Sequence, residues 1–464
     1  MIGLIGLVLS LLLLMTLAYR GSSVIVLAPA LAMLAVAFSG GEVPLLAAYT
    51  QVFMPALGKF LAKYFPLFLL GAAFGKLMEE SGCAQSIANR ISSTLGSRHA
   101  ILAVVLCVAV LTFGGVSLFV VAFAILPMAA SVFQSADVPR RLIPGAIALG
   151  SGTFTMTSLP GTMQIQNLIP MPFFKTTAFA APVLGTIGGI CMFILGMLWL
   201  NRRARAAARR GEGYAALGAG PGDDRPAATD AAQSLPSFSL AMAPIVVVFV
   251  CNFIAAEVWI PRWQTGYLAE SRFGSVKVDD VRGIWSSIMS LLVACALIIL
   301  CSKRCRRRLS AILKVGAQNS LLPVFNVASE FGYGATIAAL PAFTIVKNAL
   351  INFVPSNPMI SEATAISVLA GITGSASGGL SIALESLGPT YYQRALEFGI
   401  SPEVMHRVAS MASGGLDSLP HNGAVISLLT ICGLTHKQSY LDIGIVTVVV
   451  PLIALALVIA LASL

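Results

Sequence analysis

Long apolar stretches, separated by short polar ones, run along the whole chain. The first covers residues 1–20, and the others in the first half lie near 23–38, 62–78, 100–134, 141–170 and 178–200. The second half has them near 240–257, 284–301, 318–340, 363–390, 405–435 and 441–463. Apolar runs of this length are typical of helices that cross or enter a bilayer. The pattern predicts an all-α polytopic membrane protein, and it leaves residues 43–58 open as either an interfacial helix or part of an outer loop.

Two short phrases occur in both halves of the chain, in the same order. One reads GGVS at 114–117 and GGLS at 378–381, and the other reads SLP at 158–160 and again at 418–420. Glycine and proline interrupt helices. Each half is therefore predicted to contain two interruptions at matching places, which indicates an internal duplication. Paired interruptions within apolar segments mark the substrate site of many transporters.

Composition and charge support the membrane assignment. Of the 464 residues, 57% are hydrophobic and 10% are charged, whereas soluble domains carry about 25% charged residues. The net charge of +10 would suggest nucleic-acid binding in a soluble chain, but the basic residues cluster beside apolar stretches, as they do in cytoplasmic loops. The eight cysteines show neither metal-binding spacing nor a disulfide framework. We therefore expect no metal, no other cofactor and no nucleic-acid partner.

A basic linker at 201–237 divides the chain into a first repeat, 1–200, and a second repeat, 238–464. The arginines of this linker and a second basic cluster at 303–308 mark the cytoplasmic side. With the N-terminus outside, the other basic residues of the first repeat lie inside only if 100–134 enters and leaves the membrane on the cytoplasmic face. That segment is therefore predicted to be a re-entrant hairpin that turns at the GGVS phrase.

The same reasoning predicts a second hairpin at 363–390, entered from the outside and turning between Gly374 and Gly379. Each repeat then consists of about five spans and one hairpin. An odd number of crossings separates the two repeats, so they are inverted relative to each other. Both termini are predicted to be periplasmic.

The tips of the two hairpins contain small residues at predicted helix ends. Such residues leave backbone N–H groups free and let a ligand approach closely, and a helix N-terminus favours a carboxylate by up to about 2 kcal/mol. The alternative is close helix packing through small residues, which is common in membrane proteins. Recurrence in both halves favours the first interpretation. The tip residues predicted to bind substrate are Gly114, Gly115, Ser117, Ser375, Ser377, Gly378, Gly379 and Ser381.

Broken helices are predicted at 141–170 and 405–435, at the two occurrences of SLP. Pro160 removes a backbone donor and interrupts the first of them. Hydroxyl groups are dense around it and suit a small, oxygen-rich ligand. The residues predicted to bind substrate here are Thr155, Thr157, Ser158, Gly161 and Thr162 in the first repeat and Ser418, His421 and Asn422 in the second.

Ionisable residues occur in only one of the two breaks. Asp417 and His421 lie four residues apart in the second break, and a carboxyl group at membrane depth is a functional candidate by default. We predict that both take part in proton coupling; the alternative is that Asp417 caps the next half-helix. Glu330, within an apolar stretch, is either a further proton-coupling residue or a buried structural carboxylate. His406, near a segment end, is interpreted as a surface residue.

Three phrases of the chain resemble the gluconate permease family, within the ion transporter superfamily. They are GSGTFTMTSLPGTMQIQN at 150–167, SASGGLSIALESLG at 375–388 and SGGLDSLPHNGAVISLLTICGLTHKQSY at 413–440. The resemblance covers nearly the whole chain and is closest to the 3-hydroxybutyrate permease-like members. It implies cation-coupled, most often proton-coupled, uptake of small hydroxy-carboxylates across the bacterial inner membrane. It also implies a homodimer and an elevator mechanism, in which hairpins and broken helices move as one unit against a dimerising scaffold.

The predicted function is proton symport of a small hydroxy-monocarboxylate similar to 3-hydroxybutyrate. The predicted site contains hydroxyl groups and two anion-binding tips, and its breaks contain no Arg or Lys. This composition suits a substrate with one carboxylate better than a substrate with two. The main alternative is a sodium-coupled or sugar-acid (gluconate-like) transporter, since unwound backbone carbonyls also coordinate sodium. A channel or an intramembrane aspartyl protease is more remote. Such a protease needs two paired aspartates, and Asp417 lacks a suitable partner, so we expect no enzymatic activity.

Overall fold

The computed structural model describes residues 2–19, 22–41, 43–116, 118–217, 235–351, 353–354, 356–420 and 422–464. All regular secondary structure in these ranges is helical, as the sequence predicts. Five helices within them are long and apolar enough to cross a membrane: Leu45–Glu80, Pro182–Arg209, Phe238–Arg262, Val278–Cys301 and His436–Ala462. The all-α architecture and these apolar helices agree with a polytopic membrane protein.

The helices of the first half begin close to the N-terminus and end in the basic linker. They are α1 (Ile2–Tyr19), α2 (Val24–Ala37), α3 (Leu45–Ala47), α4 (Met54–Glu80), α5 (Cys83–Leu95), α6 (Ala100–Phe113), α7 (Leu118–Ser135), α8 (Ile143–Ser151), α9 (Ile165–Leu168), α10 (Met171–Phe174) and α11 (Pro182–Arg209). A π turn at Ala48–Phe53 joins α3 to α4, so Leu45–Glu80 is one continuous helix. Most of the segment that the sequence left open thus begins a long helix and does not form a loop.

The helices of the second half follow the part of the linker that the structure leaves undescribed. They are α12 (Phe238–Phe253), α13 (Val278–Cys301), α14 (Lys303–Arg307), α15 (Leu309–Ala338), α16 (Phe343–Ile351), α17 (Pro358–Thr373), α18 (Ala376–Glu397), α19 (Pro402–Ser413), α20 (Gly423–Ile431), α21 (His436–Gly444) and α22 (Val450–Ala462). A π turn and a 3₁₀ turn extend α12 to Arg262, and a π turn joins α21 to α22.

Four interruptions lie within the segments for which the sequence predicts hairpins and broken helices. Hairpin 1 consists of α6 and α7 with described tip residues 114–116, and hairpin 2 consists of α17 and α18 with a tip at 374–375. Break 1 separates α8 from α9 at 152–164, and break 2 separates α19 from α20 at 414–422. In both halves of the chain the order is long helices, hairpin, broken helix and a final long helix.

Local sequence explains where the helices around hairpin 2 and break 2 end and begin. Gly374 has a φ of 63° and ends α17 in the left-handed conformation, which glycine adopts at no steric cost. Ser375 begins α18, and its Oγ accepts a hydrogen bond from the N–H of Gly378 at 3.0 Å. Ser401 and Asn422 begin α19 and α20 with the same kind of side-chain cap. Hairpin 2 and break 2 are thus bounded by capping residues beside them.

The helices pack in two groups. The first group contains α1, α2, α4, α12, α13 and α15. The second contains both hairpins, both broken helices, α11 and α22. The groups meet where α18 packs on α15, where α17 packs on α1 and where α12 contacts α6, and α5 packs on both α12 and α6. The second group combines both halves of the chain: for example, Arg140 donates a hydrogen bond to the carbonyl oxygen of Cys432 at 2.7 Å.

An ionic cluster joins the linker to the beginning of α8 and to α21. Asp442 is 1% exposed and accepts hydrogen bonds from Arg203 Nε at 2.7 Å and Arg141 Nη1 at 3.0 Å. Arg141 also donates to Glu212 in the linker, with 2.5 Å between Nε and Oε1, and this hydrogen bond lowers the pKa of Glu212. The linker residues just after α11 are therefore held against the helices of the second group.

Candidate substrate and coupling site

Two glycines at the beginning of α18 permit close approach of neighbouring helices. A Cβ on Gly379 would overlap the backbone of Ala370 in α17, so this glycine lets the two helices of hairpin 2 pack tightly. A Cβ on Gly378 would overlap the carboxyl group of Glu330 in α15. Glu330 is 4% exposed, and its Oε2 has no hydrogen-bond partner among the described residues. The first turn of α18 therefore faces a buried carboxyl group.

The three serines of hairpin 2 that are predicted to bind substrate have different surroundings. Ser375 Oγ caps α18 and lies 3.5 Å from Ser377 Oγ. Ser381, one turn further along α18, is fully buried, and its Oγ has no hydrogen-bond partner within the described part of the chain. An unsatisfied buried polar group costs about 1–3 kcal/mol. Ser381 therefore carries a buried hydroxyl group whose hydrogen-bonding capacity is unused among the described residues.

The tip of hairpin 1 lies against break 1. Gly114 ends α6, and Gly115 has a φ of 99°, a conformation that favours glycine. A Cβ on Gly115 would lie 3.1 Å from Met163 Cβ. Gln164 Nε2 donates a hydrogen bond at 2.6 Å to a backbone carbonyl near the end of α6. Ser117, predicted to bind substrate, lies outside the described residues.

The hydroxyl groups predicted to bind substrate in break 1 all donate to backbone carbonyls. Thr155, Thr157, Ser158 and Thr162 bind the carbonyl oxygens of Gly150, Thr153, Gly185 and Thr155 at 2.6, 3.1, 2.7 and 2.6 Å, respectively. These hydrogen bonds join parts of the first broken helix to one another and to α11, so the hydroxyls stabilise the shape of the break. Each hydroxyl oxygen keeps lone pairs that can accept a further hydrogen bond. Gly161 has a φ of 80° and packs closely on two phenylalanine rings.

Break 2 combines a buried carboxyl group with a contact to hairpin 2. Asp417 is 6% exposed and accepts a hydrogen bond from Ser418 Oγ at 3.0 Å. Asn422, and not Asp417, caps α20, because its Oδ1 accepts a backbone N–H of that helix at 2.8 Å. Asn422 Nδ2 also donates to the carbonyl oxygen of Gly374 at 2.7 Å, which joins break 2 to the tip of hairpin 2. His421 lies outside the described residues.

Comparison with known proteins shows the family. Residues 1–315, more than half of the chain, match the family described as GntP family permease. The chain belongs to this family. The permease is also 44% identical over 455 residues to a Bacillus subtilis (strain 168) protein named Uncharacterized transporter YxjC, and the match covers 96% of each chain. The expected family is confirmed, and the permease is a transporter and not an enzyme.

The permease contains a buried cation that sequence reasoning missed. Arg407 in α19 is fully buried. Its Nη1 donates to the carbonyl oxygen of Thr157 at 3.1 Å and to Asn167 Oδ1 at 3.0 Å, and its Nη2 donates to the carbonyl oxygen of Ala180 at 2.8 Å. Although the breaks themselves contain no Arg or Lys, α19 supplies a guanidinium to break 1. The adjacent His406 and Arg407, close to the second break, were the available signal.

His406 is also buried, so its interpretation as a surface residue is wrong. The side chain is 0% exposed. Its Nδ1 lies 2.5 Å from Thr176 Oγ1, and its Nε2 lies 3.3 Å from Asn167 Oδ1. The position near a segment end was misleading, because the segment that follows α10 packs over the beginning of α19 and covers the imidazole.

Glu362 in α17 is a further buried residue that the sequence analysis did not single out. It lies one residue before the predicted hairpin segment, is 0% exposed, and neither carboxyl oxygen has a hydrogen-bond partner among the described residues. An isolated ionised carboxylate is very costly to bury, and such groups are neutral instead. The permease therefore holds buried carboxyl groups on α15, on α17 and in break 2. Among the described residues, no cluster of three or more metal-binding side chains occurs.

Proposed function

We propose that the permease imports a small hydroxy-monocarboxylate, similar to 3-hydroxybutyrate, by proton symport. The observation that carries this proposal is the asymmetry between two otherwise similar breaks. Both contain hydroxyl groups and both contact a hairpin tip, but of the two only break 2 contains a carboxyl group, that of buried Asp417. In this proposal, the tips and the hydroxyl groups bind the substrate, and Asp417, His421 and Glu330 handle the proton.

Buried charge favours a substrate with a single carboxylate. Arg407 places one positive charge behind break 1, with no hydrogen bond to a carboxylate among its described contacts. The N-terminus of α18 adds roughly half a positive charge. These charges balance one carboxylate better than two. The substrate hydroxyl group then pairs with the hydroxyl groups of the breaks and with Ser381.

The repeated order of elements supports an inverted duplication and an elevator mechanism. Each half runs through long helices, a hairpin and a broken helix to a final long helix. The second packing group contains both hairpins and both breaks, so it forms the unit that moves, and the first group forms the scaffold of a homodimer. We place this assembly in the bacterial inner membrane with both termini periplasmic, because the arginines of the linker then face the cytoplasm.

Uptake into proteoliposomes tests the proposal. The probe is labelled 3-hydroxybutyrate, supplied under an imposed pH gradient, sodium gradient or membrane potential, with lactate, gluconate and citrate as competitors. We expect accumulation driven by the pH gradient, competition by lactate and little competition by citrate. Accumulation driven by sodium alone would assign the coupling to sodium, and strong competition by gluconate would assign the permease to sugar acids. Absence of uptake under every gradient would contradict the proposed substrate.

A further inference from the structure

The carboxyl group of Glu330 lies where the helix dipole of α18 is strongest. α18 has 22 residues, and Glu330 contacts its first turn at Gly378, where the absence of a side chain makes room for the carboxyl group. The first N–H groups of a helix have no intrahelical partner and carry positive potential. Oε2 of Glu330 and Oγ of Ser381 are both buried and unpartnered within the described residues. The first two turns of α18 therefore combine a positive helix end with two buried polar atoms that no described residue pairs with.

Charged residues on the helices packed against α15 are engaged elsewhere. Lys59 of α4 lies 3.8 Å from Glu385, two turns further along α18, and Lys63 interacts with the same carboxylate. Tyr333, on α15 itself, hydrogen-bonds Ser10 of α1 at 2.8 Å. The basic residues of α14 adjoin the first turn of α15, some 30 Å along the helix from Glu330. α2 contributes no charge, because all its residues are uncharged. The side chain of Lys347 in α16 lies outside the described part of the structure.

We propose that the carboxylate of Glu330 and the carboxylate of the substrate bind alternately at the first turn of α18. In the empty permease the ionised Glu330 occupies this positive potential. In the loaded permease the substrate carboxylate replaces it, and Glu330 is protonated because two negative charges at one helix N-terminus repel each other. The inference rests on the proposed function and gives it a mechanism of coupling, in which substrate and proton must bind together.

The exchange leaves the charge at the first turn of α18 unchanged. The empty state contains one negative charge on Glu330, and the loaded state contains one on the substrate and none on Glu330. Asp417 lies beyond the same tip, which Asn422 contacts from break 2, and its hydrogen bond from Ser418 suits a group that passes a proton on. Asp417 then transfers the proton, whereas Glu330 makes binding of the substrate depend on it.

Equilibrium binding of 3-hydroxybutyrate to the purified permease, measured calorimetrically across pH, tests the inference. Wild type is expected to bind more weakly as the pH rises, by about tenfold per pH unit once Glu330 is ionised, and to take up one proton per bound anion. Glu330→Gln is expected to bind with the same affinity at every pH. Glu397→Gln, at the exposed end of α18, is the matched control and should behave as wild type.

A wild-type pH dependence in Glu330→Gln would overturn the inference. So would binding by wild type without proton uptake, measured in buffers of different ionisation enthalpy, and this second measurement decides the question if the variant does not fold. Failure of 3-hydroxybutyrate, lactate and gluconate to bind at any pH would contradict the proposed function itself, and the inference with it. Binding with an unchanged pH dependence in the variant would contradict the inference alone.

Discussion

Buried carboxyl groups of the permease differ in their hydrogen bonds, and this difference separates their roles. Asp417 has a hydroxyl partner, Glu330 has an unpartnered oxygen beside a helix N-terminus, and Glu362 has no partner for either oxygen among the described residues. A hydrogen-bond donor stabilises an ionised carboxylate, whereas a low-dielectric environment without a donor favours the neutral acid. Asp417 is thus suited to change its protonation state during transport, whereas Glu362 is suited to remain neutral in this conformation.

Replacing Asp417 by asparagine separates exchange from accumulation. Asp417→Asn keeps the shape and a hydrogen-bonding group for Ser418 but cannot carry a proton. We expect the variant to exchange internal for external substrate, since exchange needs no net proton movement, and to lose accumulation driven by a pH gradient. Counterflow and gradient-driven uptake in the same proteoliposomes measure both properties. Accumulation at the wild-type level would show that the proton travels without Asp417.

Glu362 provides a test of stability. Replacing a buried group that has no hydrogen-bond partner by an apolar group of similar shape is neutral or stabilising, because the desolvation cost of about 1–3 kcal/mol disappears. We expect Glu362→Met to raise the midpoint of thermal unfolding in detergent by a few degrees. Glu330→Met serves as the comparison. A similar rise in its unfolding midpoint would indicate a general effect of removing buried acids, and no rise would indicate an effect specific to α17. A lower midpoint for Glu362→Met would mean that the carboxyl group has a stabilising partner.

Sequence reasoning found some site residues and missed others for a physical reason. Asp417 is recognisable because it lies within a phrase that also interrupts a helix, so sequence and local structure point to the same place. Arg407 and Glu362 lie inside regular helices, and nothing in their sequence neighbours reveals what covers them. Their burial depends on chain segments distant in sequence, such as Thr157 and Ala180 for Arg407. Tertiary contacts of this kind are not encoded in a local pattern.

At the scale of elements, interruptions were easier to predict than helix lengths. Glycine, serine and proline act on the backbone beside them, so the tips and breaks lie where those residues occur. The helix Leu45–Glu80 was underestimated because Lys59, Lys63 and the polar residues of its first turns lower the hydropathy of an otherwise continuous helix. The contact between Asn422 and Gly374 joins two separately predicted elements and has no signature in either of them.

This contact between break 2 and hairpin 2 can be separated from helix capping. Asn422→Ser retains an oxygen that caps α20 but loses the amide donor to Gly374, whereas Asn422→Ala loses both. We expect the serine variant to unfold near the wild-type temperature yet bind 3-hydroxybutyrate more weakly. The alanine variant is expected to bind weakly and also to lose about 1 kcal/mol of stability. Equal affinity of wild type and the serine variant would show that the contact does not shape the site.

For the whole molecule, orientation in the membrane is the property that the arginines predict most directly. In a background without native cysteines, a cysteine at Ala215 in the linker is expected to react only with reagents on the cytoplasmic side. A cysteine at Thr265, between α12 and α13, is expected to react only from the outside, because α12 separates it from the linker. Labelling of intact cells with membrane-impermeant maleimides measures both, and the reverse pattern would contradict the proposed orientation.

The hydrogen bonds of Arg407 have a consequence for how the permease is made in the cell. Its partners Thr157, Asn167 and Ala180 are synthesised long before Arg407 itself leaves the ribosome. Until then, the carbonyl oxygens of Thr157 and Ala180 lack the hydrogen bonds that Arg407 donates in the folded protein. Break 1 therefore acquires its full set of hydrogen bonds only after α19 has been inserted.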